Sequence, residues 1–301
     1  LALAGAQVRL ALVLGDAGDP QAAEALFATC LPMLRAAGAA ASVADVRAAQ
    51  ARWALDRGET ELARVANDEA IDAQERLGLP VARLHSRLVA ASLANAAGRF
   101  SEGDAECRAA LQGARALGHR SAELSALLCL ASLEIRAGAP AAALDHADAA
   151  LAVAIALRQP RGAAEARAAR SGAFARMGAL DDALSERGLA RSSSRTELLI
   201  TPRSAGALDL AVGHAALRAL RPALAWELGR SARAAGVAAA ALDVVAAAEE
   251  LIVSAMIEAG SVAEARAALI EFGRADGPLL AAIAERDAVD RYNRGVDHAA
   301  A

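Results

Sequence analysis

PVARLHSRLVAASLANAAGRFSEGDAECRAALQGARALG, residues 80 to 118, reads as two helices separated by one turn. The turn is at Gly98 and the second helix ends at Gly118. The same punctuation recurs along the chain. Gly18, Gly58, Gly98, Gly138 and Gly178 stand 40 residues apart, and Gly38, Gly78 and Gly118 fall midway between them. Glycine suits a helix end because it enters φ > 0 without a Cβ clash. Two such series in one register mark a repeat protein, each unit a helical hairpin that packs on its neighbours.

Composition points the same way. The 301 residues are 56% hydrophobic, with alanine dominant, and only 2% aromatic. Alanine is the best helix former, and the usual strand formers are sparse. An all-α fold is expected. Positive charge is carried by arginine alone, the net charge is −4, and no basic block occurs. Nucleic acid is therefore not expected as a partner. Cys30, Cys107 and Cys129 are widely spaced and lack a CxxC pattern, so they read as reduced core thiols of a cytoplasmic protein. The most apolar window, residues 237–259, carries Asp243, Glu249 and Glu250, so no membrane span is expected. No signal peptide is visible. The first residue is Leu, which suggests a piece of a longer protein.

Residues 1–200 are read as repeats one to five, residues 201–277 as degenerate repeats six and seven, and residues 278–301 as a capping or connecting helix. Repeat one pairs Leu3–Leu14 with Pro20–Ala37, with Asp19 as an N-cap. Thr60 and Ser101 are the expected N-caps of the second helices of repeats two and three. Five residues after each turn glycine stands a small residue: Ala23, Ala63, Gly103, Ala143, Ala183. A small–aliphatic pair follows at Cys30–Leu31, Ala70–Ile71, Ala110–Leu111 and Ala150–Leu151, and Ala190–Arg191 breaks it. The segment 191–195, RSSSR, marks a loop and a register slip of two residues. Leu220 then takes the glycine slot of repeat six. That repeat is expected to end at Gly236, with the next pair over Val237–Ala259 and Val262–Arg274, and a last helix from Pro278 to about His298.

The pattern of turn glycine, small residue five later, small–aliphatic pair, then LG at the second helix end resembles the tetratricopeptide repeat. It is most similar to the 40-residue variety with elongated helices, whose second-helix ends look like ARALG (114–118) and QERLG (74–78). Trp53 alone matches the family's aromatic character in the first helix. The resemblance implies a right-handed superhelical α-solenoid, here of about seven hairpins plus a C-terminal helix. Its first helices would line a concave groove for a protein or peptide segment.

No cofactor, metal or catalytic set is expected. The five histidines are scattered, and HExxH, GxSxG and GxxxxGK[ST] are absent. Asp181–Asp182 and Glu249–Glu250 are helix neighbours, which point about 100° apart. Function is instead sought in the groove. Counting back from each turn glycine, the exposed face of the first helices supplies Asp45, Arg52 and Asp56 from repeat two. Repeat three gives His85, Ser92 and Asn95, repeat four Ser125, Ser132 and Arg136, and repeat five Glu165 and Arg176. The same count places Arg158 and Glu186 outward on second helices. Two roles compete. One is a non-catalytic sensory or interaction region of a larger bacterial signalling protein. In that role Val289, Tyr292, Val296 and Ala299 of the last helix, at 3–4–3 spacing, are expected to begin a coiled coil into a downstream domain, and the helix to offer a surface for self-association. The other is a free-standing receptor for a small peptide or ligand.

Overall fold

The computed structural model describes residues 6, 7, 10, 11, 20–192, 200–273 and 278–300, with side chains described for these except residues 20, 56 and 290–300. Among the described residues are fourteen helices and no strand. In chain order they are α1 (Pro20–Ala36), α2 (Ala40–Asp56), α3 (Thr60–Arg76), α4 (Pro80–Ala96), α5 (Phe100–Ala116), α6 (Arg120–Ala137) and α7 (Pro140–Ala156). They continue as α8 (Pro160–Met177), α9 (Leu180–Arg191), α10 (Pro202–Arg218), α11 (Pro222–Ala238), α12 (Leu242–Glu258), α13 (Val262–Glu271) and α14 (Pro278–Ala300). The chain is an all-α solenoid of stacked hairpins. Of the expected helix Leu3–Leu14 only residues 6, 7, 10 and 11 are described, all of them helical, while Gly18 and its Asp19 cap, the loop 193–199, and Gly277 lie outside the described residues.

The 40-residue period has a simple local cause. Most helices of the array are 17 residues long with a three-residue link to the next, and α6 and α8 are 18 long with a two-residue link, so each of these steps comes to 20 residues. Gly58 sits at φ 78°, Gly98 at φ 74° and Gly118 at φ 63°. The residue after each closes the preceding helix with a backbone bond five residues back: Glu59 N to Ala54 O at 2.9 Å, Arg99 N to Ala94 O at 2.8 Å, His119 N to Ala114 O at 2.8 Å. This Schellman-type closure satisfies the helix end with no help from side chains. The next helix begins at once, so Glu59 and Arg99 hold the N-cap positions and donate no side-chain cap. Thr60 and Ser101 therefore stand inside their helices, contrary to the expected capping roles. His119 and Thr201 do cap, accepting from Ala122 N and Ser204 N.

Three turns dispense with glycine: Arg158, Leu220 and Ala240 take φ of 53°, 55° and 50°. Ala240 corrects the expected end at Gly236. Helix α11 runs on to Ala238 and α12 begins at Leu242, not at Val237. Gly236 serves packing instead. A Cβ there would lie 3.0 Å from Val245 N and 3.1 Å from Val244 Cγ1, so its absence lets α12 approach.

Residues 1–169 and 170–301 form two compact units, the division falling inside α8. In the first unit, α2 packs on α4 and α4 on α6, while α3, α5 and α7 each pack on adjacent first helices but not on one another. In the second unit, α10 packs on α12 and α12 on α14 by the same rule. Each unit therefore brings its first helices together along one side and splays its second helices on the other. The small slots are all filled as expected: Ala23, Ala63, Ala143, Ala183, Ala225 and Ala265 are fully buried. At Gly103 a Cβ would come within 2.7 Å of Leu133 Cδ1 and 3.1 Å of Ala91 O. One core of the first unit gathers Leu111, Leu124, Leu127 and Leu130 around Cys107, Ala110 and Ala150.

The cysteines depart from expectation. Cys107 of α5 and Cys129 of α6 form a disulfide, with Cα atoms 6.2 Å apart, so the reading of three reduced thiols is corrected. The two residues lie 22 apart in sequence on facing helices, a relation that spacing alone does not reveal. Cys30 is free and buried, and burial pushes its thiol pKa up.

Buried carboxylates join successive elements. Glu123 meets Arg115 and Arg120, and Glu134 meets Arg108 and His146. In the second unit Asp209, fully buried, is held by Arg187 at 2.6 Å and Arg191 at 2.8 Å. Glu186 is also buried and pairs with Arg170 at 2.9 Å, so it does not face outward as expected, whereas Arg158 is exposed.

Candidate binding face on the first helices

The 20-residue beat places equivalent positions of successive first helices side by side. In the first unit the sixth residue of each is Asp45, His85, Ser125 and Glu165. The thirteenth residues of α2, α4 and α6 are Arg52, Ser92 and Ser132. Asp45, Arg52, His85 and Ser132 are exposed, while Ser92, Ser125 and Glu165 are half-buried. Between the two rows run Ala48, Leu88, Leu128 and Ala168, all half-buried. The spacing of six, nine and thirteen from the helix start follows one face of a 3.6-residue helix. Arg136 is exposed at the end of α6, with its guanidinium 5.9 Å from the centre of the Phe100 ring.

Local bonds fix several of these groups. Ser92 Oγ donates to Leu88 O at 3.0 Å and Ser125 Oγ to Ser121 O at 3.2 Å, leaving each hydroxyl's lone pairs outward. His85 Nδ1 lies 3.2 Å from Val81 O, a bond in which Nδ1 carries the proton and, in the neutral ring, Nε2 is the acceptor. Its ring meets that of His119 edge-on at 6.2 Å. Glu165 pairs with Arg161 at 3.1 Å in an exposed i,i+4 bridge.

Asn95 is the sixteenth residue of α4, one position before the seventeenth, which Arg136 holds in α6. It is half-buried, and its Oδ1 is buried with no hydrogen-bond partner among the described residues. The side chain of Asp56 lies outside the described residues. Arg176 is exposed and belongs to the second unit.

The second unit has its own first-helix face, which the sequence count did not reach. His214 and Ser254 occupy the thirteenth positions of α10 and α12, and Arg218 and Glu258 the seventeenth. Desolvation lowers the His214 pKa, nearby Arg218 adds to this, and Glu250 opposes it. His214 is nonetheless exposed at its surface, so its ring combines a partly dry setting with access to solvent. Arg218 Nη2 donates to Ala175 O at 2.9 Å, closing the end of α8. Arg203 and Asp243, 40 residues apart, pair at 2.6 Å across neighbouring first helices. Among the described residues no group of three or more His, Cys, Asp or Glu is arranged to hold a metal ion, and no helix is long and apolar enough to cross a membrane.

No protein-family model and no curated protein sequence matches the chain. Solved structures do. A crystal structure of a Rap protein complexed with Competence and Sporulation Factor is 13% identical, with a TM-score of 0.64 over 93% of this chain and 75% of that one. The crystal structure of BtubC (BKLC) from P. vanneervenii is 15% identical, with a TM-score of 0.51 over 79% of this chain and 89% of that one. At such identities the likeness is one of fold, and it places the chain among helical-repeat solenoids.

Proposed function

We propose that this chain is a non-catalytic scaffold of the tetratricopeptide type, in the 40-residue variety, that binds a protein or peptide segment along its first helices. The observation that carries this reading is the uninterrupted double row of polar side chains, Asp45–His85–Ser125–Glu165 and Arg52–Ser92–Ser132, on helices packed directly against one another. Such a face offers hydrogen-bond donors and acceptors to an extended backbone at every helix step. The Rap structure, complexed with Competence and Sporulation Factor, supports the idea that a fold of this kind accommodates a bound partner. The biological setting we favour is the sensory or interaction region of a larger bacterial signalling protein, with self-association through α14 as part of the same proposal. A free-standing receptor for a small peptide or ligand is the second reading. A cytoplasmic setting also belongs here. The pairing of Cys107 with Cys129 weighs against it, since cytosolic thiols are usually kept reduced.

The test is selection of peptides from a displayed random library against the purified chain, followed by titration of a recovered peptide. Arg52→Ala and His85→Ala should weaken binding without lowering the melting temperature. Asp72→Ala and Gln112→Ala, on exposed positions of α3 and α5, should leave it unchanged. Loss of affinity only in the α3 and α5 variants would reject the first-helix face.

A further inference from the structure

The two polar rows of the first unit differ in sign. The row nearer the helix starts carries Asp45 and Glu165 as its charged members, separated by His85 and Ser125. The opposite side of the face carries Arg52 and, one turn further along, Arg136, separated by Ser92 and Ser132. Asp45 enters no ion pair among the described residues, and the bridge from Glu165 to Arg161 is exposed and open to exchange. The strip between the banks is apolar, with Leu88 and Leu128 at its centre. Among the described side chains the face is thus an acidic bank and a basic bank flanking an apolar floor; Asp56, the acid one turn beyond Arg52 on α2, lies outside them.

We infer that the first unit selects an extended peptide whose charges alternate in sign at both ends around an apolar centre. This deepens the proposed peptide-binding role and rests on it. An extended chain sends consecutive side chains to opposite sides. A strand lying across the first helices therefore aims its odd residues at one bank and its even residues at the other. Asp45 and Arg52 lie seven residues apart on α2, which is roughly 10 Å along the helix axis, enough for a strand to lie between them. Asp45 and Glu165 are three helix steps apart. At about 8–10 Å per step that is close to eight strand residues of about 3.4 Å each. Basic side chains at peptide positions one and nine would meet the acidic bank. Arg52 and Arg136 are two helix steps apart, about 16–20 Å, and six strand residues span about 20 Å, the upper end of that range. Acidic side chains at positions two and eight would meet the basic bank. The parity agrees at both ends, and small apolar residues fill the centre over Leu88 and Leu128.

Two peptides of identical composition and net charge make the test. Lys-Asp-Ala-Val-Ala-Val-Ala-Asp-Lys carries the inferred order, and Asp-Lys-Ala-Val-Ala-Val-Ala-Lys-Asp reverses it. Each is titrated calorimetrically against the whole chain and against the double variant Asp45→Arg with Arg52→Asp. Both substituted positions are exposed, and an unchanged melting temperature confirms the fold. The first peptide should bind at least about tenfold more tightly than the second, and the variant should cut that preference to less than about threefold. Equal affinities, no binding of either peptide, or a preference that survives in the variant would overturn the inference. Hydrogen exchange separates the two levels. If a library-selected peptide protects α2, α4 and α6 while these two show no order preference, the groove stands and the charge pattern falls. If selected peptides protect α3 and α5 instead, both fall.

Discussion

Replacing Asp209 with Asn tests how the second unit holds α9 to α10. The carboxylate is fully buried and takes Arg187 Nε at 2.6 Å on Oδ1 and Arg191 Nη1 at 2.8 Å on Oδ2. Asparagine keeps the shape and one acceptor but removes the charge that both guanidinium groups face. Breaking a buried ion pair by removing one partner costs about 3–5 kcal/mol. Here Arg187 and Arg191 keep 21% and 34% side-chain exposure, so each can turn part of its charge to water. The expected loss is accordingly about 2–3 kcal/mol. Arg191→Gln, which removes the more exposed partner, should cost about 1 kcal/mol, and the double variant should show a coupling of about 1 kcal/mol. Helical arrays can depart from two-state unfolding, so urea titration should be paired with hydrogen exchange. Protection should fall first in α9 and α10. A variant within about 0.5 kcal/mol of the parent would refute the reasoning, because the desolvated charge would then be contributing nothing beyond its shape. Protection lost in α13 while α9 stays intact would do the same.

Leu111→Ala should cost about 2–5 kcal/mol, since Leu111 is 9% exposed within the core between hairpins three and four; hydrogen exchange should show loss in α4, α5 and α6 together, and loss in α5 alone would argue against stacking. Gly98→Val should lower stability by about 1–2 kcal/mol through backbone strain at φ 74°, since a Cβ there meets nothing within 4 Å, while Arg99→Ala should change little; equal melting temperatures would place the turn elsewhere. His214 has a folded pKa below its ordinary value, so the unfolded chain binds more protons, and stability should fall as pH drops from about 7 through the unfolded pKa of about 6.5 toward the lower folded value. His214→Gln should flatten that part of the stability–pH curve, and an unchanged slope would show that the ring is not desolvated.

The hairpin frame was legible because left-handed turns favour glycine and the chain repeats them with a fixed beat. What misled was glycine with another purpose. Gly236 reads as a turn yet lies inside α11, where Val245 presses on its backbone, and the real turn falls at Ala240, a residue with no sequence signature. The two-residue slip after repeat five was visible, and Leu220 does hold the turn, with φ 55°. The capping roles of Thr60 and Ser101 failed because backbone closure leaves a single linking residue, and that residue, Glu59 or Arg99, becomes the cap position. On the binding face the helical period placed Asp45, His85, Arg52 and Ser132 on exposed positions. It set Asn95 one residue too far toward the core. It missed His214 because no glycine precedes or follows α10 to count from. Cys107 and Cys129 were out of reach, since pairing between facing helices depends on how hairpins stack and not on any spacing within one.

That cross-link alters how the array can come apart. A stack of hairpins held only by nearest-neighbour contacts frays inward from its ends, one unit at a time. The bond between α5 and α6 ties hairpin three to hairpin four, so opening that starts at either terminus meets a rung that does not give way. The chain on each side can peel, but the two hairpins flanking the bond keep their ends together and re-close locally, as in a zipper stitched at one tooth. Leu88 and Leu128, on the first helices beside this rung, are thereby kept adjacent through fluctuations that would separate the same positions elsewhere along the stack.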